Sequence, residues 1–223
     1  MTAALAYTPR AIRIAEIGLG GGRIASYVHD FVTTSNVTCI ELDPGVVDLA
    51  QRYFGVRQDA RLRIVTRDGR VFMNADRNAY DIIFVDAYQG TLVPFHLVTQ
   101  EFYRILKRRL GPGGVVAQNI SPDVLDLDRM IATARSVFAN ADIYRGGGNF
   151  VLIAYDGPAK TNAQLNQRAA QMQTAYRLRY PLSTMIAQRR ANVPVAANAR
   201  PFTDDFAPVG YRDLDRRCRA RRG

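Results

Sequence analysis

Apolar and polar positions along this chain fall into blocks of two kinds. Short apolar runs occur at 12–17, 36–42, 62–66, 80–85 and 115–120, separated by stretches in which apolar residues recur at helical spacing. The first of these stretches carries Ile24, Tyr27, Val28, Phe31 and Val32 on one face, and His29 falls off that stripe toward solvent. Asp43 followed by Pro44 makes an N-cap and a first helical residue for a helix to about residue 54. A short helix is expected near 71–74. After a loop at 87–94, Leu97, Phe102, Ile105, Leu106 and Leu110 form another helical face, and Lys107, Arg108 and Arg109 suit its C-terminal dipole. Gly111-Pro112-Gly113-Gly114 breaks it, and a helix over 127–138 precedes a hairpin of 141–144 with 150–155.

Strands alternating with helices predict an α/β fold with a doubly wound, mostly parallel seven-stranded sheet, in which ligands bind beyond the C-terminal strand ends. Residues 1–10 read as a loose lead-in. Beyond Pro158 the chain turns polar and helical, over 162–180 with Ala169, Met172, Ala175 and Tyr176 on one side, and again over 182–190. These helices are expected to pack on the sheet or on a second subunit, as in a homodimer. The stretch 193–208, with three prolines, reads as an ordered loop. Residues 1–158 are thus expected to form a nucleoside-binding α/β domain, and 159–223 a helical extension and basic tail packed on it or following it.

Composition narrows the function classes. The 223 residues suffice for a full core, and no apolar run is long enough to span a bilayer. The opening MTAALAYTPRA lacks a basic start followed by a long apolar segment, so no signal peptide is expected and the cytoplasm is the expected location. Cys39 and Cys218 form neither a metal-spaced pair nor a redox motif, and with only His29 and His96 available no metal site is expected. The net charge of +10 raises nucleic acid as a partner, but six arginines lie within 211–223, where a solvated tail is the simpler reading.

The candidate chemistry starts at Glu16-x-Gly18-x-Gly20-x-Gly22. In the dinucleotide fingerprint the next glycine would fall on Arg23, so that motif does not fit. The run resembles the first motif of class I S-adenosylmethionine-dependent methyltransferases, in which glycines let the backbone approach the ligand and a carboxylate can meet a ligand ammonium. Glu41, Asp68 and Asp86 each end a different strand and are expected to converge beside the glycine turn. Glu41 or Asp43 can accept ribose hydroxyls, although Asp43 also reads as a helix cap. Asp68 with Gly69 can take the adenine amino group, or Asp68 can stabilise a turn.

Taken together and in order, IGLGGG at 17–22, IELD at 40–43, RDG at 67–69, YDIIFVD at 80–86, EFYRIL at 101–106 and GPGGVVAQNI at 111–120 resemble the spermidine synthase-like aminopropyltransferases. The resemblance implies a polyamine-biosynthetic transferase using decarboxylated S-adenosylmethionine as co-substrate and a small-molecule amine as acceptor. It implies Glu41 on ribose, Asp68 and Gly69 on adenine, and Asp86 as the acid that positions and deprotonates the attacking amine. Two of the family's acids are replaced here, by Gly21 and Gln89. Because an aspartate at the first position would repel a carboxylate, Gly21 leaves room for intact S-adenosylmethionine. The chain starts almost at its first strand, so the family's small N-terminal β-domain is expected to be missing. Asp204 and Asp205 either restore acidity to the pocket or form a capped turn; Tyr88 is expected to wall the acceptor site, and His96 to be an early helix residue rather than a base. Two alternatives stay open: a methyltransferase acting on a small molecule or RNA, and a non-catalytic nucleoside-binding protein.

Overall fold

A computed structural model describes residues 1–90 and 92–205. These form one eight-stranded sheet in the order β3-β2-β1-β4-β5-β7-β6-β8. Its strands are β1 (Arg13–Ile17), β2 (Asn36–Glu41), β3 (Leu62–Thr66), β4 (Tyr80–Val85), β5 (Leu110–Ile120), β6 (Asn140–Gly146), β7 (Asn149–Tyr155) and β8 (Arg189–Arg190). The first five pair in parallel, and β7, β6 and β8 add antiparallel. All six residues of β4 are buried, as the centre of a sheet covered on both faces requires; Asp81, its one charged residue, is bound by Arg10 Nε and by the Ile12 and Arg13 amides.

Among the described residues seven α-helices connect and cover the strands: α1 (Arg23–Phe31), α2 (Pro44–Tyr53), α3 (Gly69–Ala75), α4 (Gln100–Arg108), α5 (Leu127–Arg135), α6 (Asn162–Tyr176) and α7 (Leu182–Ile186). Residues from α1, α2, α6 and α7 share one core cluster, and those from α3, α4 and α5 share the core of the other face. Asp43 caps α2 as expected, accepting from Gly45 N at 2.7 Å. Thr99 caps α4, and Thr161 with Gln164 builds a capping box on α6.

Several expectations need correction. The lead-in is not loose: Thr2–Ala6 is a 3-10 helix in which Ala3, Ala4, Leu5, Ala6 and the following Tyr7 are buried. Residues 111–114 do not simply break a helix; they belong to β5, which pairs irregularly with β4 there. The helix expected to 180 ends at Tyr176, because Arg177 turns left-handed, and its buried side is Leu165, Ala169 and Met172, with Ala175 exposed. The helix expected over 182–190 stops at Ile186, and Arg189–Arg190 joins the sheet as the eighth strand. His29 is half-buried and held between Asp30 and Asp59. The loop over 193–208 is described only to 205, and the basic tail lies outside the described residues.

The extension is tied to the sheet by a buried ion pair. Arg189 Nε and Nη2 each lie 2.8 Å from Asp142 Oδ2, with both side chains 4% exposed. Tyr7 Oη donates to the same oxygen at 2.8 Å, so the N-terminal segment and the extension both reach β6. Among the described residues no helix is long and apolar enough to cross a membrane.

Candidate active site

The C-terminal ends of β3, β2, β1 and β4 lie side by side, held level by backbone bonds that continue the ladder past the strands. Arg67 N donates to Glu41 O, Gly18 N to Ile40 O and Asp86 N to Ile17 O, each at 2.8 Å. Four parallel strands therefore deliver the glycine turn, Glu41, Asp68 and Asp86 to one edge, where β1 lies between β2 and β4 and the winding reverses.

The turn between β1 and α1 explains three of its glycines. Gly18, Gly20 and Gly22 have φ of 90°, 50° and 65°, a region that side chains resist. At Gly18 a Cβ would come within 2.4 Å of Asp86 O, whereas at Gly20 it would meet nothing within 4 Å. The space above Gly20 is thus open. Gly21 differs: its φ is ordinary, and a Cβ there would meet the Phe54 ring at 3.1 Å. An aromatic edge thus borders Gly21.

Glu41 braces this turn. Its Oε2 accepts from Leu19 N at 2.8 Å and its Oε1 from Asp43 N at 3.0 Å. A carboxylate has about four lone-pair sites, so roughly two remain for further donors. Asp43 spends its side chain on the α2 cap.

Glu16 stands apart. It is 2% exposed, with Cys39 Sγ donating to its Oε2 at 3.5 Å. Burial pushes its carboxyl well above the usual carboxylate range, and the charges of Asp86 and Glu41 add to this against the Cys39 thiol and the Ala25 amide. Its observed partners are protein groups beneath α1, not the open crevice.

Asp68 caps α3 through Oδ1, which accepts from Val71 N at 2.8 Å, and its Oδ2 pairs with His96 Nε2 at 2.8 Å. Burial opposes its charge, but these two partners outweigh it and hold the carboxyl below its ordinary value. His96 lies in a one-turn 3-10 helix, Phe95–Leu97, ahead of α4. Gly69 is buried, and the space a side chain would need is filled by Ile17 Cγ2 at 2.3 Å, which accounts for glycine there by packing alone.

Asp86, at the end of β4, receives Asn119 Nδ2 at 2.8 Å on Oδ1; among the described residues Oδ2 has no hydrogen-bond partner, and the Met1 ammonium lies within electrostatic reach of the carboxylate. Asn119 in turn accepts from Asn149 Nδ2 at 3.0 Å, and Tyr88 Oη donates to Asn119 O at 3.2 Å. Burial, with the Asp86 charge beside it, pushes the Tyr88 phenol up to about 12. Gln89 is exposed and bridges by backbone to Leu92. Asp204 is drawn elsewhere: Arg70 grips both its oxygens and Thr99 Oγ1 donates to one at 2.8 Å, while Asp205 is exposed beside it. The Asp204 carboxyl is held below its usual range chiefly by Arg70.

The sequence reading missed Asn119 as the partner of Asp86 and Asn149 as the partner of Asn119. A signal existed for the first, since Gln118-Asn119 are polar residues closing an otherwise apolar strand run. Among the described residues no group of three or more His, Cys, Asp or Glu is arranged to hold a metal.

Comparison with known proteins places these features in context. The family described as spermine/spermidine synthase domain matches residues 2–144. A polyamine aminopropyltransferase of Vibrio vulnificus is 32% identical over 93% of this chain and 72% of its own. Among solved structures, human methyltransferase-like protein 13 in complex with SAH superposes with a TM-score of 0.71 at 27% identity, covering 79% of this chain and 90% of that one. Spermidine synthase from Thermotoga maritima superposes at 0.68 over 86% of this chain and 69% of its own, at 19% identity, a likeness of fold.

Proposed function

This chain belongs to the spermine/spermidine synthase family, and on that premise we propose that it transfers an aminopropyl group from decarboxylated S-adenosylmethionine to a small amine. The observation that carries the reading is Asp86, fixed by Asn119 at 2.8 Å with its second oxygen available, beside a glycine turn whose neighbour Glu41 keeps acceptor capacity for ribose. An ammonium has no lone pair and cannot attack carbon, so a carboxylate must hold the acceptor and relieve it of a proton.

In the transfer the acceptor nitrogen's lone pair attacks the aminopropyl carbon bound to the sulfonium. The C–N bond forms as the C–S bond breaks, the C–S electron pair returns to sulfur, and a neutral thioether nucleoside leaves. The nitrogen's surplus proton passes through the Asp86 carboxylate to solvent. Glu41 holds the ribose and Asp68 the adenine edge in this reading, and fixing both substrates near Asp86 supplies orientation that solution lacks.

A second reading, methyl transfer from intact S-adenosylmethionine, is favoured by Gly21, which places no carboxylate against the methionine carboxylate, and by the 27% identity to a methyltransferase. Incubation with each nucleoside and a panel of amines, read by mass, tests both. Gain of an aminopropyl group, lost in Asp86→Asn with nucleoside affinity within a few-fold, is the expected result. Gain of a methyl group, or no product with either nucleoside, overturns it.

A further inference from the structure

Next to Asp86 lies a cavity of about 270 Å³ whose walls are Tyr88, Asn119, Ser121, Asp123, Val124 and Asn149. Asn119 is the shared wall: its side chain donates to Asp86 while its backbone carbonyl accepts from Tyr88. The cavity therefore opens beside the carboxylate assigned to the acceptor nitrogen and lies away from the ribose and adenine positions on β2 and β3.

The chemistry of its lining is one-sided. In a protein of net charge +10, the six walls include one anion, Asp123, and no cation. The hydroxyls and amide oxygens of Tyr88, Ser121, Asn119 and Asn149 can all accept hydrogen bonds from an ammonium. Asp123 is exposed at the turn between β5 and α5, and among the described residues its carboxylate has no hydrogen-bond or ion-pair partner. Most other acids near this edge are already engaged: Asp204 by Arg70, Asp68 by His96, and Asp43 by its helix cap.

We propose that Asp123 is a specificity-determining residue, the second anionic contact for an acceptor that carries another cationic group beyond its reacting nitrogen. This rests on the aminopropyl-transfer reading and names the element that sets acceptor choice. With Gln89 exposed and neutral, the second contact comes from the β5–α5 turn and not from the segment following β4. Acceptor length is then set by the span from Asp86 to Asp123 across the Tyr88 wall.

The test is calorimetric titration of the full chain with linear α,ω-diamines and with monoamines of matching length, with and without methylthioadenosine, for the native protein and Asp123→Asn. The native chain is expected to bind a diamine about tenfold more tightly than its matched monoamine. Asp123→Asn should erase that difference while leaving monoamine and thioadenosine binding unchanged. A diamine preference that survives in Asp123→Asn, or its absence from the native chain, overturns the proposal. Failure of both proteins to bind thioadenosine instead counts against the transfer reading, while the titrations without nucleoside still decide the role of Asp123.

Discussion

Replacing Asn119 by leucine removes the donor that fixes Asp86 while keeping the side chain's approximate volume. The bond measures 2.8 Å and ends on a carboxylate, and hydrogen bonds to charged groups are worth about 1.5–3 kcal/mol. If that orientation is used in the transition state, with about 1.36 kcal/mol per tenfold in rate, kcat/KM should fall by roughly 10- to 160-fold. Asn119 makes no hydrogen bond to the glycine turn or to Glu41 among the described residues, so nucleoside affinity should be unchanged. Asn149→Leu supplies an internal scale: it removes a neutral bond of 3.0 Å one step further out, worth about 0.5–1.5 kcal/mol, and should cost roughly 2- to 13-fold. Initial rates of aminopropyl transfer by mass spectrometry, alongside calorimetric nucleoside titration, measure both quantities. A loss below threefold in Asn119→Leu, or an equal loss of nucleoside affinity, would show that the Asp86–Asn119 contact does not position the reacting acid.

Two predictions concern the scaffold under the site. Arg189→Met leaves the Asp142 carboxylate buried without its cation, a change that costs about 3–5 kcal/mol, so the thermal midpoint should drop by roughly 6–20 °C; a drop under 3 °C would mean the pair is not holding the extension. Glu16 has a folded pKa raised by burial, so its contribution to stability is present at low pH and lost as pH rises through the folded value. Glu16→Gln, neutral throughout, should therefore gain stability relative to the native chain between pH 5 and pH 9 in urea titrations, and a gap that narrows with pH would contradict the sign.

The sheet was legible in the sequence because buried parallel strands need largely apolar runs, and YDIIFV, broken only by Asp81, and VVA at 115–117 are such runs. The strand-end acids were legible for the same reason, since Glu41 closes β2, Asp68 lies two residues after β3 and Asp86 directly follows β4. What escaped the reading depends on distant partners. Asn119 pairs with a residue 33 positions away, and nothing local marks which way its amide points. Arg189 looks like surface charge until Asp142, 47 positions earlier, is folded against it. The N-terminal segment TAALA is too short and too uniform to show a period, and it is helical because α6 and α7 cover it. Asp204 was a candidate pocket acid; Arg70, 134 positions away, accounts for where it sits.

That covered N-terminal turn bears on how the chain is made. Thr2 Oγ1 reaches Met185 Sδ at 3.2 Å, a contact 183 residues apart in sequence, and Leu5 and Tyr7 share a core cluster with Leu165, Met172, Leu182 and Ile186. At about 5–20 residues per second, roughly 10–40 s of synthesis separate the first of these side chains from the last. Through that interval the opening apolar turn leaves the ribosome without its cover. The face beneath α1, α6 and α7 can close only after the strands that would carry the reaction are already translated, so this layer of the core is completed after the sheet it covers.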